Sequence, residues 1–249
     1  MLDLLDIGVL VVAAFFAGGL NAIAGGGSFL TFPALVFVGV PPIPANATSA
    51  VAVFPGYLSS AFGFFKELKA FGLKQLVILT GLAILGGVAG GLLLLVTPSE
   101  VFKVVVPYLL LFATVLFAFG DKVAVYLAQK RQGETGDSWP LTLLVCTYGG
   151  YFNGGLGIVL LALFSALGYR DLNLMNGLKN GLSFILSVAS IITFAVAGIV
   201  FWQEAAIMMF SNMLGGYLGA IVARKLPRRV MRMFIVSVGL VMTVVFFVN

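Results

Sequence analysis

The apolar segments of this sequence are long, continuous and almost free of charge, and this feature restricts its fold more than any other. Only 9% of the 249 residues are charged, whereas a soluble domain carries about 25%. A membrane β-barrel would instead show weakly apolar, alternating segments of about ten residues. The sequence therefore predicts an all-α membrane protein that crosses the bilayer several times.

The apolar segments differ in length, and the short ones are informative. A helix needs about 20 residues to cross the ~30 Å hydrocarbon core. The segments at 29–39, 141–152 and 156–168 are shorter than that, and the segment at 7–24 joins them if it frays near its glycines. The remaining segments lie at 45–65, 73–96, 101–119, 172–200, 204–223 and 230–248.

The two halves of the chain repeat one another at a constant offset. Gly25-Gly26 corresponds to Gly154-Gly155, an offset of 129 residues. Chance in a chain with 31 glycines does not account for aligned prolines, so we predict a duplication. The resulting units are a first transmembrane repeat at 1–120, a cytoplasmic linker at 121–139 and a second repeat at 140–249. Further pairs at the same offset are Gly39 with Gly168, Gly86-Gly87 with Gly215-Gly216, Gly90 with Gly219, and Pro98 with Pro227.

Loop charges indicate that the two repeats have opposite orientations. The loop at 66–74 contains three lysines, whereas its counterpart at 195–203 contains no basic residue. The bias reverses at the next pair of loops, because 97–103 has one lysine and its counterpart is strongly basic. Lysine and arginine prefer the cytoplasmic side, so matching loops lie on opposite sides of the membrane. The basic residues concerned are Lys66, Lys69, Lys74, Lys103, Arg224, Lys225, Arg228, Arg229 and Arg232.

Inverted repeats require an odd number of membrane crossings in each unit. The three long segments of each unit supply three crossings, so its first two elements contribute zero or two. We therefore predict two inverted-topology repeats, each with a glycine-broken helical hairpin plus three transmembrane helices. The linker then lies inside and both termini outside, in the cell membrane, specifically a bacterial inner membrane. Asp3 and Asp6 agree with this orientation, and we expect no secretory signal peptide.

The glycine clusters at the helix breaks form the first part of a candidate binding site. Non-helical backbone at membrane depth is tolerated where it lines a cavity, and paired breaks in inverted repeats mark transporter sites. Each break also starts a helix whose N-terminus favours anions. Glycines can instead serve close helix packing, which we expect for 86–91 and 215–219. The candidate site residues are Asn21, Gly25, Gly26, Gly27, Ser28, Asn153, Gly154 and Gly155.

Lys179 forms the second part of the candidate site. It lies seven residues into its apolar segment, or ~10 Å along a helix. A lysine inside the membrane marks a functional site by default, although a long side chain can also extend to the interface. Asn176 and Asn180 favour a polar cavity around it. The matching stretch of the first repeat adds Asn46, Thr48 and Ser49.

The positions of the acidic residues and the absence of histidine restrict the chemistry that is possible inside the membrane. All nine acidic residues lie in or beside loops or termini, and the sequence has no histidine. A buried proton relay and an intramembrane active site therefore have no candidate residues, and we expect no enzyme activity, cofactor or metal site. The net charge of +5 belongs to short loops, so we expect no nucleic-acid partner. The expected partners are a small anionic substrate and the lipid bilayer, and a homo-oligomer stays open.

Two glycine-rich stretches resemble the paired motif of the TauE/SafE family, also called the sulfite exporter or toluene sulfonate uptake family. The first, from Gly18, reads GGLNAIAGGGSFLTFPALVFVGVPPIPANATSA, and the second, from Gly149, reads GGYFNGGLGIVLLALFSALGYRDLNLMNGLKN. The resemblance covers nearly the whole chain and implies a carrier of sulfite, sulfoacetate or other organosulfonates. The second copy departs from the pattern because it reads NGGLG. The resemblance implicates Gly25 to Ser28, Asn46, Thr48, Gly154, Gly155, Lys179 and Asn180 in binding.

We therefore predict a secondary transporter that moves a small sulfur-containing anion by alternating access. A negative interior drives a monovalent anion outward with about 2.3 kcal/mol per 100 mV, so export needs no coupled ion. The alternatives are an anion channel, an importer of a related small oxyanion, an intramembrane enzyme and a membrane scaffold.

Overall fold

The computed structural model describes residues 2–23, 25–130, 138–223 and 228–248. Its regular secondary structure over these ranges is entirely α-helical. The first half contains α1 (Leu4–Ile23), α2 (Ser28–Phe37), α3 (Pro42–Gly63), α4 (Phe65–Ala70), α5 (Leu73–Val96) and α6 (Ser99–Lys130). The second half contains α7 (Trp139–Tyr151), α8 (Leu156–Ala166), α9 (Leu172–Val196), α10 (Trp202–Ala223) and α11 (Arg228–Val248).

Four stretches of the described residues are long and apolar enough to cross a membrane. They are Leu4–Asn21, Leu73–Val96, Ser99–Leu116 and Leu172–Val196. The outer surface also exposes large apolar side chains, among them Leu85, Val104 and Phe210, and such a surface suits a lipid environment. The expectation of three full crossings in each repeat goes beyond these four helices and stays a prediction.

Both expected helix breaks are present in the structure. α1 ends at Ile23 and α2 begins at Ser28, while α7 ends at Tyr151 and α8 begins at Leu156. One glycine in each break has a positive φ, 76° at Gly25 and 71° at Gly155, a conformation that only glycine adopts readily. Gly155 lies one residue beyond the position that the 129-residue offset assigns to Gly25, so the two breaks are similar but not identical.

The ends of α2 and α8 have the same geometry in both halves. Gly39 has a φ of 89° and Gly168 a φ of 90°. The N–H of Val40 donates to the Leu35 carbonyl at 3.0 Å, and the N–H of Tyr169 donates to the Phe164 carbonyl at 3.0 Å. This is the helix-ending motif in which glycine lets the chain reverse direction. At these positions the sequence repeat is therefore also a structural repeat.

Helices from the two halves interlock in parallel pairs. α1 packs against α10, and α5 packs against α7. Ser211 donates to the Val11 carbonyl at 2.6 Å, and Gly215 lies against the backbone of Phe15, so α1 and α10 run in the same direction. The first helix of each hairpin is thus held by a helix of the other half.

Equivalent helices of the two halves run antiparallel where they meet. Phe54 of α3 stacks on Phe184 of α9 with ring centroids 6.0 Å apart, while Phe64 at the end of α3 lies against Gly177 near the start of α9. Tyr108 near the start of α6 likewise contacts Phe247 near the end of α11, with ring centroids 5.1 Å apart. The two contacts between α3 and α9 therefore show that these two helices run antiparallel.

The predicted linker is only partly described. α6 continues through Lys130, and α7 begins at Trp139, so the first part of the segment at 121–139 is helical. Residues 131–137 lie outside the described residues, as do Arg224, Lys225 and Pro227. The division of the chain into repeats at 1–120 and 140–249 stays a prediction.

Gly215→Ala is expected to destabilise the fold because α1 and α10 leave no room for a side chain there. A Cβ at Gly215 would lie 2.6 Å from the backbone carbonyl carbon of Phe15, whereas one at Gly216 would meet the Gly18 carbonyl oxygen at an ordinary 3.6 Å. We expect Gly215→Ala to lower the free energy of unfolding by about 1–3 kcal/mol. Gly216→Ala is the matched control, and thermal unfolding in detergent compares the two. Equal melting temperatures would contradict the packing role of Gly215.

Candidate functional site

The two broken hairpins meet at their tips. We call α1 and α2 with their break the first hairpin, and α7 and α8 with theirs the second hairpin. A Cβ at Gly157 would lie 3.1 Å from the Gly25 Cα, so the backbones touch. Ser28 Oγ also donates to the Asn153 backbone oxygen at 3.3 Å. The two breaks, although 129 residues apart in sequence, lie at one place in the fold.

The first break is closed by its own hydrogen bonds. The Gly27 N–H donates to Asn21 Oδ1 at 2.8 Å, and the Phe29 and Leu30 N–H groups donate to the Gly26 and Gly27 carbonyls at 3.1 and 3.0 Å. These three N–H groups are therefore already bonded and are not available to an anion, contrary to the expected anion site at the start of α2. The reason is that a buried N–H group remote from water must find a protein partner.

The second break has a similar internal structure. The Leu156 N–H donates to the Asn153 carbonyl at 3.3 Å, and the Ile158 N–H donates to the Gly155 carbonyl at 2.9 Å. Tyr148 of α7 adds a hydroxyl bond to the Gly154 carbonyl at 2.6 Å. The helix start at α8 is therefore fixed by bonds from both sides of the break.

Lys179 lies at the contact between the two hairpin tips. Only 4% of the residue is exposed. Its Nζ is 3.8 Å from the position of a Cβ at Gly25, and its Cδ is 3.3 Å from that of a Cβ at Gly157. The Nζ donates to the Asn176 Oδ1 at 3.2 Å. Lys179 is thus enclosed rather than extended to a membrane interface.

No described carboxylate pairs with the Lys179 ammonium. In the part of the chain that the structure describes, the ion pair formed is the exposed one between Lys103 and Glu100, at 3.4 Å. The partner of Lys179 is the neutral Asn176 amide. When protonated, Lys179 is therefore a buried charge without a counter-charge, which is costly.

Four buried polar atoms have no hydrogen-bond partner among the described residues. Two are amide nitrogens, of Asn21 and Asn212, and two are hydroxyls, of Ser183 and Ser187. All four atoms can donate a hydrogen bond. The protein interior therefore contains four donor groups without an acceptor, in addition to the Lys179 ammonium.

Three predicted site residues form hydrogen bonds between helices. Thr48 Oγ1 accepts from the Phe201 N–H at 3.0 Å just before α10, and Asn46 Nδ2 donates to the carbonyl of Tyr151 at 2.8 Å. Ser49 shares a 2.6 Å hydroxyl bond with Thr31. These residues join helices to one another in this conformation. The predicted residues at or beside the tips are Asn21, Gly25, Gly26, Gly27, Ser28, Asn153, Gly154, Gly155, Asn176, Lys179 and the buried Asn180.

Sequence reasoning missed Tyr57 and Tyr148. The Tyr57 hydroxyl donates to Asn153 Oδ1 at 3.0 Å and so ties α3 to the second break, as Tyr148 ties α7 to the same break. A tyrosine in an otherwise apolar segment was the available signal, because buried tyrosine hydroxyls usually find a hydrogen-bond partner.

Comparisons with known proteins agree over nearly the whole chain. Residues 10–246 match the family model described as Sulfite exporter TauE/SafE. A "Probable membrane transporter protein" of Haemophilus influenzae is 28% identical over 247 residues, covering 96% of this chain and 95% of the relative. "Probable membrane transporter protein ORF9" of Sinorhizobium sp is 27% identical, covering 94% and 90%. "Probable membrane transporter protein YfcA" of Escherichia coli K12 is 26% identical, covering 98% and 90%. No solved structure matches this chain.

Proposed function

Because this chain belongs to the sulfite exporter TauE/SafE family of membrane transporters, we propose that it exports a small sulfur-containing anion by alternating access. The candidates are sulfite, sulfoacetate and other organosulfonates. These compounds share an anionic sulfur group whose oxygens accept several hydrogen bonds at once. The family name mentions sulfite, and the names of the relatives specify no substrate.

The observation that carries this proposal is the enclosed Lys179 ammonium without a carboxylate partner. A ligand that supplies the missing negative charge is the natural occupant of such a place. The unpartnered amide donor of Asn21, which lies beside the first break, favours a ligand with more than one acceptor oxygen. A cation would meet uncompensated positive charge here, so the site favours an anion.

The proposed architecture is a pair of inverted repeats around this site. The antiparallel pairing of α3 with α9 and of α6 with α11 supports it, as does the reversed charge of matching loops. The two hairpins would then enter the membrane from opposite sides and meet at Gly25 and Gly157. Rocking of the hairpins against the other helices would open the tip contact to one side at a time.

The proposed direction of transport follows from membrane energetics. With a negative interior, outward movement of a monovalent anion gains about 2.3 kcal/mol per 100 mV. Export therefore requires no coupled ion, which suits a sequence without a carboxylate or histidine deep in a span. In this arrangement the 121–139 linker is cytoplasmic, and both termini are outside.

Transport by the purified protein in liposomes tests the proposal. Vesicles are loaded with sulfite, sulfoacetate, taurine or sulfate, and efflux is followed with and without an imposed voltage. We expect saturable efflux of sulfite or sulfoacetate that a negative interior accelerates and that external substrate stimulates by exchange. Taurine, which is a zwitterion with no net charge, is the matched control. Non-saturable conductance without exchange would indicate an anion channel, and flux of taurine alone would overturn the proposed substrate class.

A further inference from the structure

Ser183 and Ser187 lie on the same side of α9 as Lys179. They follow it by four and eight residues, and residues four apart share a helix face. At about 1.5 Å per residue they lie ~6 Å and ~12 Å further along the helix than Lys179. Both serines are fully buried, with 0% of each residue exposed. A line of polar side chains therefore leads away from the hairpin tips.

The hydroxyls of Ser183 and Ser187 differ from several other buried hydroxyls of this protein. Serine and threonine inside a helix commonly donate to a backbone carbonyl of the preceding turn. Thr114 and Thr243 do so at 2.6 and 2.7 Å, and Ser190 donates to the Ser187 carbonyl at 3.1 Å. The Ser183 and Ser187 hydroxyls make no such bond, and neither hydroxyl oxygen has a hydrogen-bond partner among the described residues. Their hydroxyls are therefore free to bind a ligand.

Along the axis of α9, Ser183 and Ser187 lie between Lys179 and the level of the Thr31–Ser49 hydroxyl pair. α3 runs antiparallel to α9, and the Phe54–Phe184 stack sets Ser183 and Ser187 at the level of the middle of α3. Lys179 lies closer than the two serines to the N-terminal end of α9. Toward the other end, the Thr31–Ser49 hydroxyl pair joins α2 to α3. Along α9 the serines thus lie between Lys179 and the level of this hydroxyl pair.

We propose that Ser183 and Ser187 form a second, transient oxyanion-binding site through which the substrate passes between Lys179 and the far end of α9. This proposal rests on the proposed transport function. Hydroxyl donors bind the oxygens of a sulfonate or sulfite without a formal charge, so they hold it less tightly than the ammonium. Translocation needs binding that is favourable enough to enter and weak enough to leave, and a neutral site after a charged one meets that requirement.

Alanine variants test the proposal through the split between kcat and KM. In the liposome assay we expect Ser183→Ala with Ser187→Ala to lower kcat about tenfold and to change KM by less than about threefold, because Lys179 makes the first contact. Ser190→Ala is the matched control, since its hydroxyl already bonds the helix backbone, and we expect it to retain transport. Because alanine favours helices, the variants should fold, and gel filtration checks this.

Thiol labelling gives a second readout that does not depend on the transport rate. Ser187→Cys in a Cys146→Ala background is treated with a sulfonate-bearing methanethiosulfonate reagent, with Ser190→Cys as the control. We expect the thiolate of Ser187→Cys to be modified, with release of methanesulfinate, and sulfoacetate to slow this reaction. Full transport by the double alanine variant, or no labelling of Ser187→Cys, would overturn the second site. If loss of the Lys179 charge still abolished transport, the proposed function would stand.

Discussion

Lys179→Met is expected to reduce anion transport by roughly 100-fold or more, because it removes the charge that the substrate would neutralise. Breaking a buried ion pair by removing one partner costs about 3–5 kcal/mol, and every 1.4 kcal/mol corresponds to about tenfold in binding. Methionine keeps much of the length and volume of the lysine chain between Gly25 and Gly157. The measurement is sulfoacetate efflux from liposomes at a fixed voltage.

The same variant is expected to be more stable than the natural protein. The ammonium is buried with only a neutral amide partner among the described residues, so its removal relieves a desolvation penalty. A gain of about 1 kcal/mol raises the melting temperature by roughly 2–4 °C in a protein of this size. Opposite changes in activity and stability are typical of a side chain kept for function.

Lys69→Met is the matched control for charge. Lys69 is exposed at the end of α4, and its replacement removes one positive charge without touching the hairpin tips. We expect transport and melting temperature to stay near those of the natural protein. If instead Lys179→Met lowered the melting temperature and preserved transport, Lys179 would be a structural residue, and the scaffold alternative would gain support.

The positions of the helices were predictable because the apolar segments and their breakers are local signals. Glycine and proline end helices, and charged residues mark the loops between them. These signals can be read from a few neighbouring residues. The structure accordingly has breaks beside Gly25 and Gly155 and identical turns at Gly39 and Gly168. The repeat offset added long-range information, since it predicted which elements of the two halves would resemble each other.

The contacts inside the candidate site were less predictable because they depend on tertiary packing. Ser183 and Ser190 are indistinguishable as sequence signals, yet one hydroxyl is unpartnered and the other bonds its own helix. Thr48 looked like a ligand donor, whereas the structure uses it to bond the Phe201 N–H. Gly157 belongs to the glycine-rich stretch NGGLG, but only the fold shows that it touches Gly25.

Gly25→Ala and Gly157→Ala are both expected to disable transport by separating the hairpin tips. A Cβ at Gly25 would lie 3.2 Å from the Gly157 Cα, and a Cβ at Gly157 would lie 3.1 Å from the Gly25 Cα. Neither backbone can yield as a flexible side chain would, so the hairpins must move apart around Lys179. Efflux measured on folded protein is expected to fall at least about tenfold for each variant, since small misplacements of binding groups cost rate steeply.

The two variants should differ in stability in a defined order. Gly25 has a φ of 76°, where an L-residue costs roughly 1–2 kcal/mol, whereas Gly157 lies within α8 and carries no such penalty. Gly25→Ala is therefore expected to have the lower melting temperature. Gly181→Ala, on α9 with nothing within 4 Å of its Cβ position, is the control and should gain about 1 kcal/mol from helix propensity.

The double variant decides whether the tips act through one contact. If Gly25 and Gly157 matter because they touch, the second alanine enters a contact that the first has already opened. Its added cost should then be smaller than its cost alone, with a coupling of about 0.5–3 kcal/mol in a double-mutant cycle. Strict additivity of the two losses would mean that each glycine acts separately within its own hairpin, and the shared site around Lys179 would lose its structural basis.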